Sequence, residues 1–398
     1  MITVQEATRI VLESRMTLDT EFVPLYQAIG RQLREDFVAD RPFPPFDRVA
    51  MDGIAIRFSD YKNGQRVFPI IGIQAAGSPQ LSVAESGLCA EVMTGAMLPK
   101  GVDTVVRYED ILIENSHARI QIDTVKEGQN VHQRGTDRKR GNVLVSAGKI
   151  ISPAEIGVAA TIGKSNISVS KLPKVAIIST GDELVNINET PQPYQIRSSN
   201  VYTISSLLQQ HQIEGQVFHI ADNKQTIIDI LSKLLEMFDV LILSGGVSKG
   251  KFDYIPEALA TLNVQKLFHR VQQKPGKPFW FGKDNNNKVV FALPGNPASS
   301  FMCVNRYFLP WLRASMHLAP FNYQHIALEE DFNFKANLQY FLQVKLVHTL
   351  DSVTAKPMAG RGSGDLANLA EVDGFLELPA TKSQFKKGEV FPFIPFRF

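Results

Sequence analysis

Two stretches decide the fold: Val175-Ala-Ile-Ile-Ser-Thr-Gly-Asp-Glu183 and Val240-Leu-Ile-Leu-Ser-Gly-Gly246. Each is a short apolar run, of strand rather than helix length, ending in Gly and polar residues. Between them Ser199 to Gln210 and Thr226 to Phe238 read as helices, and Gln216 to Ile220 as a further strand. Such alternation predicts βαβ units and a parallel-type sheet, hence an α/β domain over 172–315 that Leu172-Pro173 opens. In open parallel sheets ligands bind beyond the carboxyl ends of the strands. Both quoted runs deliver their polar residues to that edge.

Toward the N-terminus the pattern changes. Pro153 to Ile162 reads as a helix with Ser152 as N-cap. Residues 1–40 also read as helices: Val4, Ala7, Ile10 and Val11 recur at helical spacing, and Pro24 opens a second amphipathic stretch. Arg41-Pro-Phe-Pro-Pro-Phe46 breaks helix and marks a boundary. From 41 to 148, short strands, glycines and turn residues predict an inserted β-rich domain. Residues 1–40 with 149–171 then form a helical N-terminal domain around it. Toward the C-terminus the period becomes two, with Phe341, Gln343 and Lys345 interleaving with Leu342, Val344 and Leu346. Residues 316–398 therefore read as a C-terminal β domain. Asp284-Asn-Asn-Asn-Lys288 reads as a hairpin tip.

The 398 residues are too many for one ordinary core, and 44% apolar with 21% charged residues is normal for a globular chain. A net charge of +2 implies no general attraction to nucleic acid or membrane, so local clusters must carry any anion binding. Cys89 and Cys303 lie far apart in apolar surroundings, which excludes a disulfide framework and a Cys-rich zinc site and fits a reducing cytoplasm. No signal peptide is visible at the N-terminus, and no apolar run reaches the ~20 residues of a membrane span.

Four motifs carry chemistry. Thr180-Gly-Asp-Glu183 places two carboxylates after a tight turn. Ser244-Gly-Gly-Val-Ser-Lys-Gly250, followed by Asp253-Tyr254, offers backbone N–H groups and hydroxyls to a phosphate. Lys274-Pro-Gly-Lys-Pro278 is a rigid turn that holds two ammonium groups near each other. Leu293-Pro-Gly-Asn-Pro-Ala-Ser-Ser300 leads into an apolar helix. Lys and N–H groups suit anions, and Asp and Glu suit Mg²⁺, a hard cation that prefers oxygen. Taken singly, each motif also has a plain structural reading. Gly245-Gly246 reads equally as a turn, Asp182-Glu183 as a cap, the lysines as a solvated surface, and Pro294 to Pro297 as architecture. His132, His211, His219 and His269 lack ligand spacing, so structural roles are expected for them. Composition and spacing stop at an anion-binding α/β enzyme.

In their order these motifs resemble the molybdopterin molybdenumtransferases, the family of bacterial MoeA and the C-terminal domain of gephyrin. The resemblance begins at Pro44-Pro-Phe-Asp-Arg-Val-Ala-Met-Asp-Gly53 and continues through Val92 to Val106, Asn130 to Asp137, Ser179 to Leu184 and Gln195 to Asn200. Ser244 to Tyr254, Lys274 to Pro278, Leu293 to Ser300 and Gly362-Ser-Gly364 complete it. It implies a four-part subunit whose last part is a β-barrel. It further implies a homodimer with the cleft between the α/β domain of one subunit and the β-rich insertion of the other. The implied activity is insertion of molybdate into adenylyl-molybdopterin with Mg²⁺ and release of AMP, the last step of molybdenum cofactor synthesis. A molybdopterin adenylyltransferase is the implied partner.

By the same resemblance Asp52, Thr94, Glu183, Asp253 and Lys274 are catalytic. Asp52, Glu183 and Asp253 bind the metal. Asp137, Asp222, Gly245, Gly246, Ser248, Arg270, Lys277 and Ser363 bind substrate. Five positions depart from the family pattern: Val49 for Ser, Ser198 for Asp, Thr136 for Glu, Gln343 for Arg, and Arg270 for Lys with its charge kept. Two other readings compete: an adenylyltransferase or nucleotide hydrolase of the same fold, and a non-catalytic scaffold. The first shares mainly the α/β part with this chain, and the second would be free to lose the acidic and basic residues.

Overall fold

The computed structural model describes residues 1–247, 253–334 and 337–397. Helix α1 (Val4–Glu13) starts at Thr3, whose hydroxyl accepts from the Glu6 N–H. Its apolar face, Val4, Ala7 and Val11, is buried. The second helix expected from Pro24 is absent. Thr20–Pro24 is instead a strand, β1, followed by a single 3-10 turn at Leu25–Gln27. Thr20 and Val23 are β-branched and Phe22 aromatic, which suits an extended chain, and Pro24 closes the strand rather than opening a helix.

The insertion is built on a six-stranded mixed sheet. Its strands are β2 (Gly53–Ile56), β3 (Val67–Gln74), β4 (Cys89–Val92), β5 (Thr104–Arg107), β6 (Ile111–Glu114) and β7 (His117–Ile120), in the order β5-β2-β4-β3-β7-β6. Helix α2 (Pro153–Thr161) follows, capped as expected by Ser152, with Glu155 returning the bond to the Ser152 N–H at 2.9 Å. Strand β8 (Asn166–Ser170) then pairs with β1. The expected helical unit, 1–40 with 149–171, thus contains two helices and a β pair. Nor does α1 pack with α2. The Trp311 indole N–H donates to Ser14 O at 3.0 Å, and Met16 N–H to Ser315 Oγ at 3.1 Å, seating α1 on the α/β unit.

That unit contains β9 (Val175–Thr180), α3 (Asn200–Gln210), β10 (Gln216–Ile220), α4 (Lys224–Met237), β11 (Val240–Ser244), α5 (Ile255–Thr261), β12 (Gln265–His269), β13 (Gln273–Lys274), β14 (Trp280–Lys283) and β15 (Val289–Leu293). The sheet order is β10-β9-β11-β15-β14-β12, with the first four strands parallel and the β15–β14 and β14–β12 pairings antiparallel. Alternate residues of each strand enter opposite cores. Val175, Ile177, Val240, Ile242, Val289 and Phe291 meet α3, α1 and the long helical run α6 (Pro297–Cys303), a π turn (Val304–Phe308) and α7 (Leu309–Ser315). Ala176, Ile178, Leu241, Leu243 and Val290 meet α4 and α5. Three layers follow, and each fully buried Val, Leu or Ile contributes on the order of 2 kcal/mol. The tip at Asp284 is the expected hairpin, with Asp284 Oδ1 accepting from the Asn286 and Lys288 N–H groups.

The C-terminal part is a closed five-stranded barrel of β16 (His325–Leu328), β17 (Gln339–His348), β18 (Val353–Pro357), β19 (Gly374–Leu378) and β20 (Val390–Pro395). It closes because β17 pairs with both β18 and β19. Leu342 and Val344 fill its interior, while Phe341 on the other face is buried in the core of the α/β unit. Among the described residues no helix is long and apolar enough to cross a membrane.

Candidate active site at the strand ends

Strand β9 leaves for β10 on one side, and β11 then lies on the other. The chain therefore switches direction between β9 and β11, and at such a point the carboxyl ends open a crevice. Here it is a cavity of about 700 Å³, lined by Thr180, Glu183, Asp222, Gly245, Gly246 and Asp253 among others. Glu183 folds back over the preceding turn, so that a Cβ on Gly181 would lie 2.5 Å from its carboxylate. Gly181 has φ +132°, a region that favours glycine. The Asp222 N–H donates to Asp182 Oδ1 at 3.1 Å, tying the ends of β9 and β10 together.

The Gly245-Gly246 turn sits directly over Thr180. A Cβ on Gly245 would come within 2.9 Å of the Thr180 carbonyl oxygen and hydroxyl, and one on Gly246 within 3.0 Å of that hydroxyl. The Thr180 hydroxyl is buried and has no hydrogen-bond partner among the described residues. An unmet buried donor is uncommon and costs stability. Asn200 secures the other side, its amide donating to Ser244 Oγ and to Gly295 O, both at 2.7 Å. Asn296 reaches the barrel side, donating to Ser363 Oγ at 2.8 Å, and Gly364 joins the cavity wall.

Electrostatically the cavity is acidic. Burial raises the Asp222 carboxyl above its ordinary range, and the charges of Asp182, Glu183 and Asp253 raise it further. Glu183, Asp222 and Asp253 thus bring carboxylate oxygens to one cavity. That donor chemistry fits a hard divalent cation. No group of three or more His, Cys, Asp or Glu side chains among the described residues is already gathered as a metal cage.

The other motif residues lie elsewhere. Asp52 is exposed on the insertion, where its Oδ1 accepts from Thr94 N–H at 2.6 Å and Thr94 Oγ1 at 2.8 Å. Those two donors hold its pKa below the ordinary value. Asp137 pairs with His132 Nε2 at 2.9 Å, and Arg48 meets the other ring nitrogen at 3.2 Å. Arg270 takes a left-handed backbone at φ +76°, a strained conformation for a non-Gly residue. The Lys274 ammonium lies 5.1 Å from the Phe334 ring and 5.8 Å from the Tyr340 ring, so one of the two lysines of its turn faces the barrel. Lys274 and Lys277 are both exposed.

Three family models cover nearly the whole chain in order: "MoeA N-terminal region (domain I and II)" over 2–163, "Probable molybdopterin binding domain" over 176–314, and "MoeA C-terminal region (domain IV)" over 326–396. A molybdopterin molybdenumtransferase of Synechocystis sp. is 41% identical over 397 residues, covering 99% of each chain. The chain belongs to the molybdopterin molybdenumtransferase (MoeA) family. A Staphylococcus epidermidis member is 30% identical over 396 residues, covering 98% of this chain and 94% of its own. The fold is also that of a molybdopterin biosynthesis MoeA protein from Pyrococcus horikoshii, with a TM-score of 0.82, 26% identity and full coverage of both chains.

Of the residues singled out from the family motifs, Glu183, Asp222, Gly245, Gly246 and Asp253 line one cavity. Ser363 adjoins it through Asn296. Asp52, Thr94, Asp137, Arg270, Lys274 and Lys277 do not line it, and Ser248 lies outside the described residues. The histidines make local bonds: His269 Nε2 donates to Val247 O at 3.0 Å, and His219 meets Ser179 Oγ at 3.1 Å. Of the departures from the family pattern, Val49 is fully buried in the insertion core. Ser198 lines the cavity. Thr136 closes a turn onto Gln133 O at 2.7 Å. Gln343 accepts from the Asn368 amide at 2.6 Å. Sequence reasoning missed the bridging amides of Asn200 and Asn296. Both stood inside quoted motifs, but a bond to a residue 44 or 67 positions away leaves no local signature.

Proposed function

We propose that this protein inserts molybdate into adenylyl-molybdopterin and releases AMP, the last step of molybdenum cofactor synthesis. The observation that carries the reading is the acidic cavity at the β9–β11 switch point, roofed by a glycine turn, in a chain that matches the family from end to end. The Gly245 and Gly246 turn cradles the pterin phosphate, and Ser248, outside the described residues, belongs to the same substrate-binding set. Lys274, Lys277 and Arg270 neutralise phosphate and molybdate charge, which is the main lever in phosphoryl chemistry. Glu183 and Asp253 hold Mg²⁺ or orient the attacking oxygen, and Asp222 and Ser363 contact substrate. When bound, Mg²⁺ supplies charge neutralisation at the phosphoanhydride.

Asp52 belongs to the same set but sits on the insertion with Thr94 and Asp137. The reading therefore includes a homodimer in which the insertion of one subunit faces the cavity of the other. A molybdopterin adenylyltransferase is the proposed supplier of substrate. Two buried free cysteines suit a reducing compartment, the cytoplasm. The test is AMP release from adenylyl-molybdopterin by the pure protein. We expect release only with both molybdate and Mg²⁺ present. Folded protein that releases no AMP under those conditions ends the proposal.

A further inference from the structure

The segment from Arg270 to Lys277 carries three cations and is fixed from three sides. The Ile2 N–H donates to Arg270 O at 3.1 Å, and the Gln272 N–H donates back to Ile2 O at 2.8 Å. On the other flank the Gln339 N–H donates to Gln272 O at 2.9 Å, and β13 pairs parallel with β17 of the barrel. The third support is internal. Gln273 is 0% exposed. Its Oε1 accepts from the Tyr307 hydroxyl. Its Nε2 donates to Gly276 O at 3.0 Å and to Cys303 Sγ at 3.6 Å.

The buried amide thus spans the turn that separates the two lysines. Gly276 has φ +88°, and a Cβ there would lie 2.7 Å from Gln273 Nε2 and 2.8 Å from Cys303 Sγ. Only glycine lets the turn close onto the amide. Tyr307 belongs to the π turn Val304–Phe308, a rare helical irregularity that occurs often near functional sites. Its ring packs against Phe279 at 5.0 Å. A carboxamide placed in such an aromatic core pays desolvation that an apolar side chain of the same length avoids. Packing alone therefore does not account for Gln273.

We propose that Gln273 is a positioning residue that sets the spacing and direction of Lys274 and Lys277 through the turn between them. The inference rests on the reading of those lysines as anion-binding groups. Molybdate is the probe, titrated calorimetrically into the full-length protein at two ionic strengths. Gln273→Met should weaken binding by about tenfold or more, because a small misplacement of a binding group is costly. The salt dependence should stay as in the wild type, since both charges remain. Lys277→Ala should weaken binding and flatten that dependence. The double variant Gln273→Met/Tyr307→Phe leaves no phenol unpaired and should recover thermal stability while binding stays weak. A merely structural role would restore both together. Loss of binding in Lys277→Ala with wild-type affinity in Gln273→Met and the double variant overturns this inference alone. Wild-type affinity in Lys277→Ala brings down the reading of the lysines, and the inference with it.

Discussion

The strand-end cavity and the insertion both carry acidic motif residues, but Asp222 in the first and Asp52 in the second are displaced from their ordinary pKa in opposite directions. In the cavity Asp222 is pushed toward its neutral form by burial and by Asp182, Glu183 and Asp253. On the insertion, exposed Asp52 is held ionised by the two donors of Thr94. The first region gathers carboxylates around a partly buried Asp222. The second is locally satisfied and presents a preformed anion. Neither observation alone makes a reaction centre, and within one chain the two regions do not share a cavity.

The largest effect expected from this contrast is complementation. Asp52→Ala and Asp253→Ala should each lower AMP release by at least about a hundredfold, as loss of a transition-state contact does. Co-expressed, they should regain roughly a quarter of wild-type activity. Mixed dimers have one site built from two intact halves, whereas each parent dimer has none. No recovery in verified mixed dimers would show that the insertion does not act across subunits.

A smaller effect tests the repulsion itself. The folded pKa of Asp222 is raised, so the native state holds that proton more tightly than the unfolded chain. Stability is then lost as pH rises from the ordinary carboxylate range, about 3.9, through the folded value. Asp222→Asn should raise the Tm near about pH 7 and leave it nearly unchanged near about pH 3, below both values. Added Mg²⁺ should shrink the gain. An equal shift at both pH values would assign the effect to packing rather than charge.

The smallest effect concerns Thr180. Replacing it with Val keeps the β-branched shape and removes the unmet buried hydroxyl. Stability should rise by about 1 kcal/mol in a denaturant titration, while affinity for adenylyl-molybdopterin falls. A variant that is less stable, or that binds as tightly as wild type, would deny the hydroxyl a role in the cavity.

Much of this was legible in the chain itself. The runs at Val175 and Val240 became parallel neighbours in register, Ser179 beside Ser244, because continuous β-branched and aliphatic stretches must be buried on both faces. Ser152 and Glu155 fixed a helix start by a bond three residues long. The reading failed at Thr20 to Pro24, where the apolar spacing suits a strand as well as a helix and β8, more than a hundred residues on, supplied the pairing that decided it. At α1 the apolar stripe was plain and the helix formed, but its partner, Trp311, was not legible. A stripe says that a face is buried and says nothing of what buries it.

Sequence by itself determined the α/β alternation, the glycine turns and carboxylates at the strand ends, and the family. These are encoded by neighbours within a few residues, where backbone geometry and hydrophobic period act directly. Tertiary structure alone decided that Glu183, Asp222 and Asp253 line one cavity. It alone placed the Thr180 hydroxyl under the glycine turn, buried and without a partner among the described residues, and Gln273 inside the lysine turn. Those facts depend on hydrogen bonds and charges meeting across loops, and their energies depend on burial, which no stretch of sequence carries by itself.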